Sequence, residues 1–562
     1  MEFCLFYLLL SSLLFVTAVA NAETDPVAFW RLVEDGQDAS GNARHAENHG
    51  VTFGVTAPDG TRAARFDGRS AFLEVANSAL PQLSTEDFTV SVWVCTEEVL
   101  DDALGDIFSK YDPERRKGLN LGIATCSGVS NSQPNYRTVH FGIDNGHVDA
   151  QWTDCGRPGN AVFVFGMAVH GGRLYAATCE PGEKECGHIY RYEGGTEWTD
   201  CGSPDMSNSV ASLAVYDGKL FAGTSCYDTT GSALSASPNQ SPGGKVYCYA
   251  GDKQWTYCGT LRNPETGESI TLGGLTVFRG RLYATTLKQG GFGLYRYEGG
   301  TEWGYCGNPG RRVLNPCVFN GRLYTVSYDA PGGPFCFDGA HWSYVGATID
   351  PPIDQDYSFA VYDGRLHVST WPKAYVYRMD ESGRWTPCGH PGDEKETMGM
   401  MVYNGKLYAG TLPSARVYRY EGGDTWVPVG QQLDTSEGLY RRVWSMAVYQ
   451  GRLFCGTLPS GKVLSLEAGK NATYDEALKP GWRHLAAVRR RGHVCLFVDG
   501  KPVATSSAFD PAQYDISNER PLRIGFGAGD YFYGWMRHLR LYDRALTDQQ
   551  IGSLYTEERS GR

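Results

Sequence analysis

Four acidic residues fall in two short stretches, Asp354 and Asp356, then Glu394 and Glu396. Two carboxylates across a cleft are what glycoside hydrolysis needs, one to protonate the leaving oxygen and one to attack or activate water. Spacing along the chain does not place any two of these at a working separation. Arg311-Arg312 and Arg441-Arg442 add paired cations, and solvation or pairing with nearby Asp and Glu is the plainer reading for them. Tyr357, Trp371, Tyr440 and Trp444 supply flat faces on which sugar rings stack, although packing inside the fold uses the same residues. Other chemistries lack their residues. No Gly-x-Ser-x-Gly elbow and no His-Glu-x-x-His zinc helix occurs. The histidines between 150 and 470 (His170, His188, His341, His367, His390) occupy unrelated places, so they form no copper set. These ten residues (Arg311, Arg312, Asp354, Asp356, Tyr357, Trp371, Tyr440, Arg441, Arg442, Trp444) therefore read first as a recognition surface and second as a carbohydrate-active site.

What must position them is a repeat. A hydrophobic–x–Gly–basic–Leu–aromatic phrase recurs around Gly172, Gly218, Gly280, Gly321, Gly364, Gly405 and Gly451. Its period of roughly forty to sixty residues is that of a propeller blade. Residues 400–430 show the unit: Met400–Tyr403, a tight Asn-Gly turn, Lys406–Thr411, Arg416–Tyr420, a Gly-Gly turn, then a strand around Trp426. Four short strands per unit predict blades. The first recognisable piece, Gln151–Gly156, is a fourth-type strand, and the last, Gly461–Leu466, is a third-type strand with no Trp after it. The orphan strand is thus expected to complete the last blade and close a ring of seven, which removes two open edges. Turns between strands one and two, and three and four, are short. The connections on the opposite face are long, as from Cys226 to Lys245 and from Gly346 to Ala360, so that face is the expected ligand face.

The flanks read as two halves of one other domain. Phe88-Thr-Val-Ser-Val-Trp-Val94, Val139-His-Phe-Gly142, Trp482–Ala486, Leu496-Phe-Val-Asp-Gly500 and Leu541-Tyr-Asp-Arg-Ala-Leu546 alternate apolar and polar residues between Gly and Asp turns. That pattern predicts an antiparallel sandwich. In this order the segments resemble the laminin G-like, concanavalin A-like jelly-roll family, and the middle is similar to kelch-type propellers in its turn glycines and its Trp. The expected fold is all-β, an antiparallel jelly-roll sandwich with an inserted seven-bladed β-propeller. Its expected spans are a signal peptide at 1–22, the sandwich at 23–146 and 471–562, and the propeller at 147–470. The resemblance implies binding of glycan or of an extracellular protein, in some members through Ca²⁺; Asp67, Asp144 and Asp530 in Gly-rich loops are the weak calcium candidates, each also read as a turn residue, and no other cofactor is implied. Arg489-Arg490-Arg491 is expected at a solvated hairpin tip.

Residues 5–19 are almost wholly apolar and Ala20-Asn21-Ala22 follows, which fits an export signal cleaved before Glu23. No later stretch is long and apolar enough for a membrane helix. Net charge is −12, so a general nucleic-acid binder is disfavoured. Five of the sixteen cysteines, Cys155, Cys201, Cys258, Cys306 and Cys388, follow a blade Trp by three residues; two other blades put Val345 and Val429 there. A slot that accepts Val wants a compact apolar side chain and not a bond partner, so these five are expected reduced and buried. Cys179 and Cys186 flank one short Pro-Gly loop and are expected to form a disulfide.

Overall fold

The structure is a computed structural model that describes residues 25–147, 151–287 and 292–559. The expected signal segment lies outside the described residues. The protein is all-β apart from one α-helix, Asp548–Arg559, and three short 3₁₀ turns among the described residues.

Among the described residues from 152 to 466, strand pairing gives five separate four-stranded antiparallel sheets and one eight-stranded sheet, in which two four-stranded units are joined by the single pair Cys179 opposite Ser209; in sequence order these units are blades one to seven. Each opens on a buried strand at the axis: Phe163–His170, Ser209–Tyr216, Gly274–Phe278, Leu314–Phe319, Gln355–Tyr362, Glu396–Tyr403 and Arg442–Tyr449. A two-residue turn then leads to the second strand. At Asn404-Gly405 the two φ values are 41° and 82°, the doubly positive conformation whose twist matches a hairpin and which Asn-Gly adopts at low cost. The orphan strand Trp152–Asp154 pairs with Val463–Leu466, Trp152 opposite Leu466 and Asp154 opposite Leu464, and so completes blade seven.

Seven indole hydrogen bonds tie the blades to one another. Each blade Trp donates Nε1–H to the carbonyl three residues after the Trp of the preceding blade: Trp198 to Cys155, Trp255 to Cys201, Trp303 to Cys258, Trp342 to Cys306, Trp385 to Val345, Trp426 to Cys388 and Trp152 to Val429, at 2.7–3.1 Å. The circuit returns to its start. It also explains the Cys/Val slot: the residue offers its carbonyl to the next blade and packs a small side chain beneath. All five Trp-associated cysteines are unlinked.

The flanks form a two-sheet sandwich. One sheet orders Thr52–Thr56, Arg62–Asp67, Tyr533–Tyr542, Phe88–Thr96, Gly481–Arg490, His493–Val498 and Lys501–Thr505; the other orders Glu47–His49, Phe72–Val75, Leu522–Ile524, Gly105–Asp112, Lys117–Thr125, Tyr136–Asn145 and Lys470–Tyr474. Residues from both sides of the propeller share one core, including Trp30, Phe66, Phe88, Phe141, Leu485 and Leu496. Lys470–Tyr474 runs antiparallel to Tyr136–Asn145, with Lys470 opposite Ile143 and Tyr474 opposite Val139. Lys470 therefore lies at the Gly146 end of the pair and Tyr474 at the other end. The helix covers the first sheet through Ile551 against Val488 and Phe497. The second sheet faces the propeller's short-turn side. There Lys406 Nζ donates to Pro113 O at 2.9 Å, Gly451 N to Thr473 Oγ1 at 2.9 Å and Gly364 N to Gly529 O at 2.9 Å. Arg489 is not at a solvated tip: it is fully buried and its guanidinium donates to Ser84 O, Thr85 O and Pro511 O.

Candidate functional site

The axis of the ring is closed from the sandwich side by a loop of the sandwich itself. Residues 126–135 connect Lys117–Thr125 to Tyr136–Asn145 and are almost wholly buried. The innermost strands receive them at register shifts, between Val164 and Gly166, Val210 and Ser212, Leu314 and Cys317, Asp356 and Phe359, Thr397 and Met400, and Val443 and Ser445. The first strand of each blade is an edge whose axis-facing backbone groups lie outside the ladder, and the plug takes several of them up. Val169 N donates to Pro134 O at 2.8 Å, Leu213 N to Ser132 Oγ at 3.0 Å and Val277 N to Gln133 Oε1 at 3.3 Å. Val318 N donates to Ser127 Oγ at 3.0 Å, Phe359 N to Gly128 O at 2.9 Å and Val448 N to Asn135 Oδ1 at 2.9 Å. Asn131 sits at the centre, donating Nδ2–H to Gly273 O at 2.7 Å and accepting the Trp444 indole at 2.9 Å.

Beyond the plug, towards the long loops, the aromatic side chains Phe163, Phe165, Tyr357 and Trp444 pack across the mouth with Met398, and Tyr227, Tyr328 and Trp371 lie against them. Tyr227 belongs to the long connection after Cys226 and meets the Phe165 ring edge-on at 4.8 Å. One acidic side chain, Glu396, lies beside this apolar mouth, where burial pushes its carboxyl above the ordinary carboxylate range while the charge of nearby Arg442 pulls it down. The Tyr357 hydroxyl donates to Gln355 Oε1 at 2.6 Å.

Of the ten expected residues, Tyr357, Trp371, Arg442 and Trp444 converge here. The others go elsewhere. Arg312 is held by Asp329 at 2.7 Å and by Tyr328 O, and Arg311 donates to the carbonyls of Asp329 and Pro331. Asp356 is fully buried, its Oδ1 accepting Ser327 N and Gly333 N at 3.1 and 3.0 Å, and burial pushes its carboxyl up to about 7. It welds blade five to blade four. Asp354 is half-buried on the same junction. Tyr440 and Arg441 lie on the rim connection before blade seven. Glu394, the remaining acid, accepts from Ser414 and Tyr418. Sequence reasoning missed Tyr328 and Tyr227 as mouth residues; no local pattern marks them, because connections far apart in sequence come together only there.

The rim carries exposed apolar side chains. Leu439 is 69% and Met206 65% exposed, and Ile270 and Tyr440 are also open. All four lie on connections between blades, on the long-loop face.

The calcium candidates do not come together. Asp67 caps its own turn by accepting from the N–H groups of Arg69, Ser70 and Ala71. Asp144 is buried against Arg116 at 3.2 Å. Asp530 is buried among Asp102 and Asp106 beneath the propeller, where burial and their like charges push its carboxyl well up. Among the described residues, no group of three or more His, Cys, Asp or Glu is placed to hold a metal. The expected Cys179–Cys186 disulfide is absent: both thiols are free. Cys179 ends a second strand with its side chain in the mouth cluster, whereas Cys186 sits beside His188 and Ser203.

Residues 450–552 match the Laminin_G_3 model, the concanavalin A-like lectin/glucanases superfamily. No curated protein matches the chain. Among solved structures, a streptogramin B lyase is 12% identical, covering 56% of this chain and 96% of its own with a TM-score of 0.43. The GH74 xyloglucanase of Xanthomonas campestris is 14% identical over 60% of this chain and 59% of its own, TM-score 0.40. The WD40 β-propeller domain of Doa1 is 12% identical over 56% and 96%, TM-score 0.40. The chain carries a concanavalin A-like domain and a propeller.

Proposed function

We propose that this is an exported, non-catalytic recognition protein that binds a glycan or an extracellular protein partner on the long-loop rim of its propeller. The observation that carries the reading is the pairing of an exposed apolar rim (Leu439, Tyr440, Met206, Ile270) with an occupied axis. Exposed apolar side chains grouped on one face of a rigid scaffold favour association. The carboxylates nearest the mouth support it too. Asp356 and Glu394 are held by fixed hydrogen-bond partners, which disfavours either as a nucleophile or acid. Export rests on the apolar segment at 5–19, and a net charge of −12 speaks against nucleic acid as the partner.

A secreted carbohydrate-active enzyme is the second reading. It is favoured by Glu396, a buried carboxyl with a raised pKa beside aromatic side chains. A glycan-array screen of the full chain, run alongside a reducing-sugar assay on every glycan that binds, separates the two. Recognition predicts binding without product. Turnover that is lost in Glu396→Gln would replace this reading with the second.

A further inference from the structure

Beside the plug, a cavity of about 140 Å³ lies between the second sheet of the sandwich and the first strands of blades four to seven. Ile123, Val129, Phe359, Val361, Met401 and Val448 give it mostly hydrocarbon walls, and Asp106 and Asp530 line it as well. A second cavity of about 10 Å³, room for one water, shares Ala103, Thr125, Ser127 and Val318 with the first and is lined by Asp102. The loops carrying these acids are locked together. Asp106 N–H donates to Asp530 O at 2.9 Å, and Gly529 N–H to Asp106 Oδ2 at 2.6 Å. Gly105 has a φ of 73°, and a Cβ there would stand 2.2 Å from Tyr531 O, so this close approach requires glycine.

The polar groups around the two cavities are short of donors. Asp530 is 5% exposed and Asp102 3%. Asp530 Oδ1 accepts Tyr531 N–H at 2.8 Å and Asp102 Oδ1 accepts Ala103 N–H at 3.0 Å. The Oδ2 of each has no hydrogen-bond partner among the described residues. Thr125 Oγ1, on the wall that both cavities share, is a third buried oxygen without a partner. Among these three oxygens only the threonine carries a proton to give. A buried polar atom left unpaired is costly, so the site calls for donors. It calls for positive charge too. The blade-four turn and the Arg69 guanidinium offset the charge of Asp102 in part, whereas burial and the charges of Asp102 and Asp106 push Asp530 well up. Among the described residues, no set of three ligating side chains converges here for a metal ion.

We propose that the larger cavity binds a small primary organic ammonium, whose head donates to Asp530 Oδ2 and Thr125 Oγ1 and whose hydrocarbon body lies against the apolar walls. A primary ammonium carries three donors and no acceptor, which suits oxygens that lack donors. An alcohol of the same shape brings a single donor and adds lone pairs of its own. A cation beside Asp530 also relieves the crowding of three like charges. The size fits, since an apolar cavity of about 150 Å³ takes up benzene. This site lies at the seam between the two domains and is independent of the rim.

The test is calorimetric titration of the full chain with benzylamine and with its neutral isostere benzyl alcohol. Benzylamine should bind at one site, at least about tenfold more tightly than benzyl alcohol, the difference that hydrogen bonds to a charged group supply. Asp530→Asn should weaken benzylamine about tenfold or more and leave benzyl alcohol as it was. Val361→Phe, which places a ring in the cavity, should abolish the binding of both. Benzyl alcohol binding the wild type as tightly as benzylamine overturns the proposal. So does the absence of benzylamine binding, which would leave the cavity to ordered water. Unchanged benzylamine affinity in a folded Asp530→Asn or a folded Val361→Phe overturns it as well. The wild-type comparison stays decisive if either variant fails to fold.

Discussion

Asn131→Ala probes the plug where the axis is most tightly determined. Asn131 is buried and bridges two blades, donating to Gly273 O and accepting from Trp444 Nε1. Alanine removes both bonds and leaves a buried carbonyl and a buried indole N–H without partners. Each such group costs about 1–3 kcal/mol, giving about 2–6 kcal/mol for the pair. The vacated amide volume is close to that of one water, which can re-pair part of it, so the loss should fall nearer the lower figure. The assay is urea unfolding, read as a fall in midpoint at unchanged slope. Asn131→Asp refines the test. Its carboxylate can still accept from Trp444 but faces the Gly273 carbonyl, whereas the protonated acid donates to that carbonyl. Its folded pKa must therefore lie above the unfolded value, and stability should fall as pH rises through that window. Were Asn131→Ala to unfold within about 0.5 kcal/mol of wild type, the plug would be a passive occupant and the reasoning would fail.

Three further outcomes follow from the same contacts. Asp356→Asn should flatten the pH dependence of stability: the wild-type carboxyl, raised from 3.8 to about 7 by burial, contributes most when protonated and loses on the order of 4 kcal/mol as pH rises from about 4 to about 7; denaturation at pH 5 and pH 8 checks it, and equal slopes for both proteins would refute it. Trp255→Phe keeps the ring but removes the donor to Cys201 O, and should cost about 1–2 kcal/mol, against under about 1.5 kcal/mol for Cys201→Val, both read from urea midpoints. Alkylation of denatured, non-reduced protein followed by peptide mapping should recover Cys155, Cys201, Cys258, Cys306 and Cys388 as thiols; finding them in disulfides would remove the compact apolar slot from the account.

Much of this architecture was legible because it repeats. The Asn-Gly and Asp-Gly turns, the blade Trp and the Cys/Val position three residues later recur at a fixed place in each unit, and each serves one local geometry. The orphan strand at Trp152 was legible by counting. The plug was not. Cys126-Ser-Gly-Val-Ser-Asn-Ser-Gln-Pro-Asn135 reads as an ordinary polar loop, and its burial comes from strands 35 to 314 residues away in sequence. One signal was present: ten residues without a charge, rich in hydroxyls and amides, in a chain of net charge −12, which suits a buried polar wedge better than a surface loop. The site was legible only in part. Residues were chosen by type near the start of first strands, and six of the ten lie outside the mouth: Arg311 and Arg312 are held within their own blade, Asp354 and Asp356 lie on the junction with the preceding blade, and Tyr440 and Arg441 are on the rim. Pairing two cysteines across eight residues failed because Cys179 points into the mouth and Cys186 towards His188.

The central claim, that recognition takes place on the long-loop rim, is tested most directly by binding of rim variants to whichever glycan or extracellular protein the full chain retains. Leu439→Asp combined with Tyr440→Ala should lower affinity at least about tenfold, the loss of 1.4 kcal/mol or more expected when central apolar contacts are removed. Val503→Asp, on the exposed edge strand of the sandwich, should bind as the wild type does. Wild-type affinity in the rim variant together with loss in Val503→Asp would place recognition on the sandwich and contradict the account.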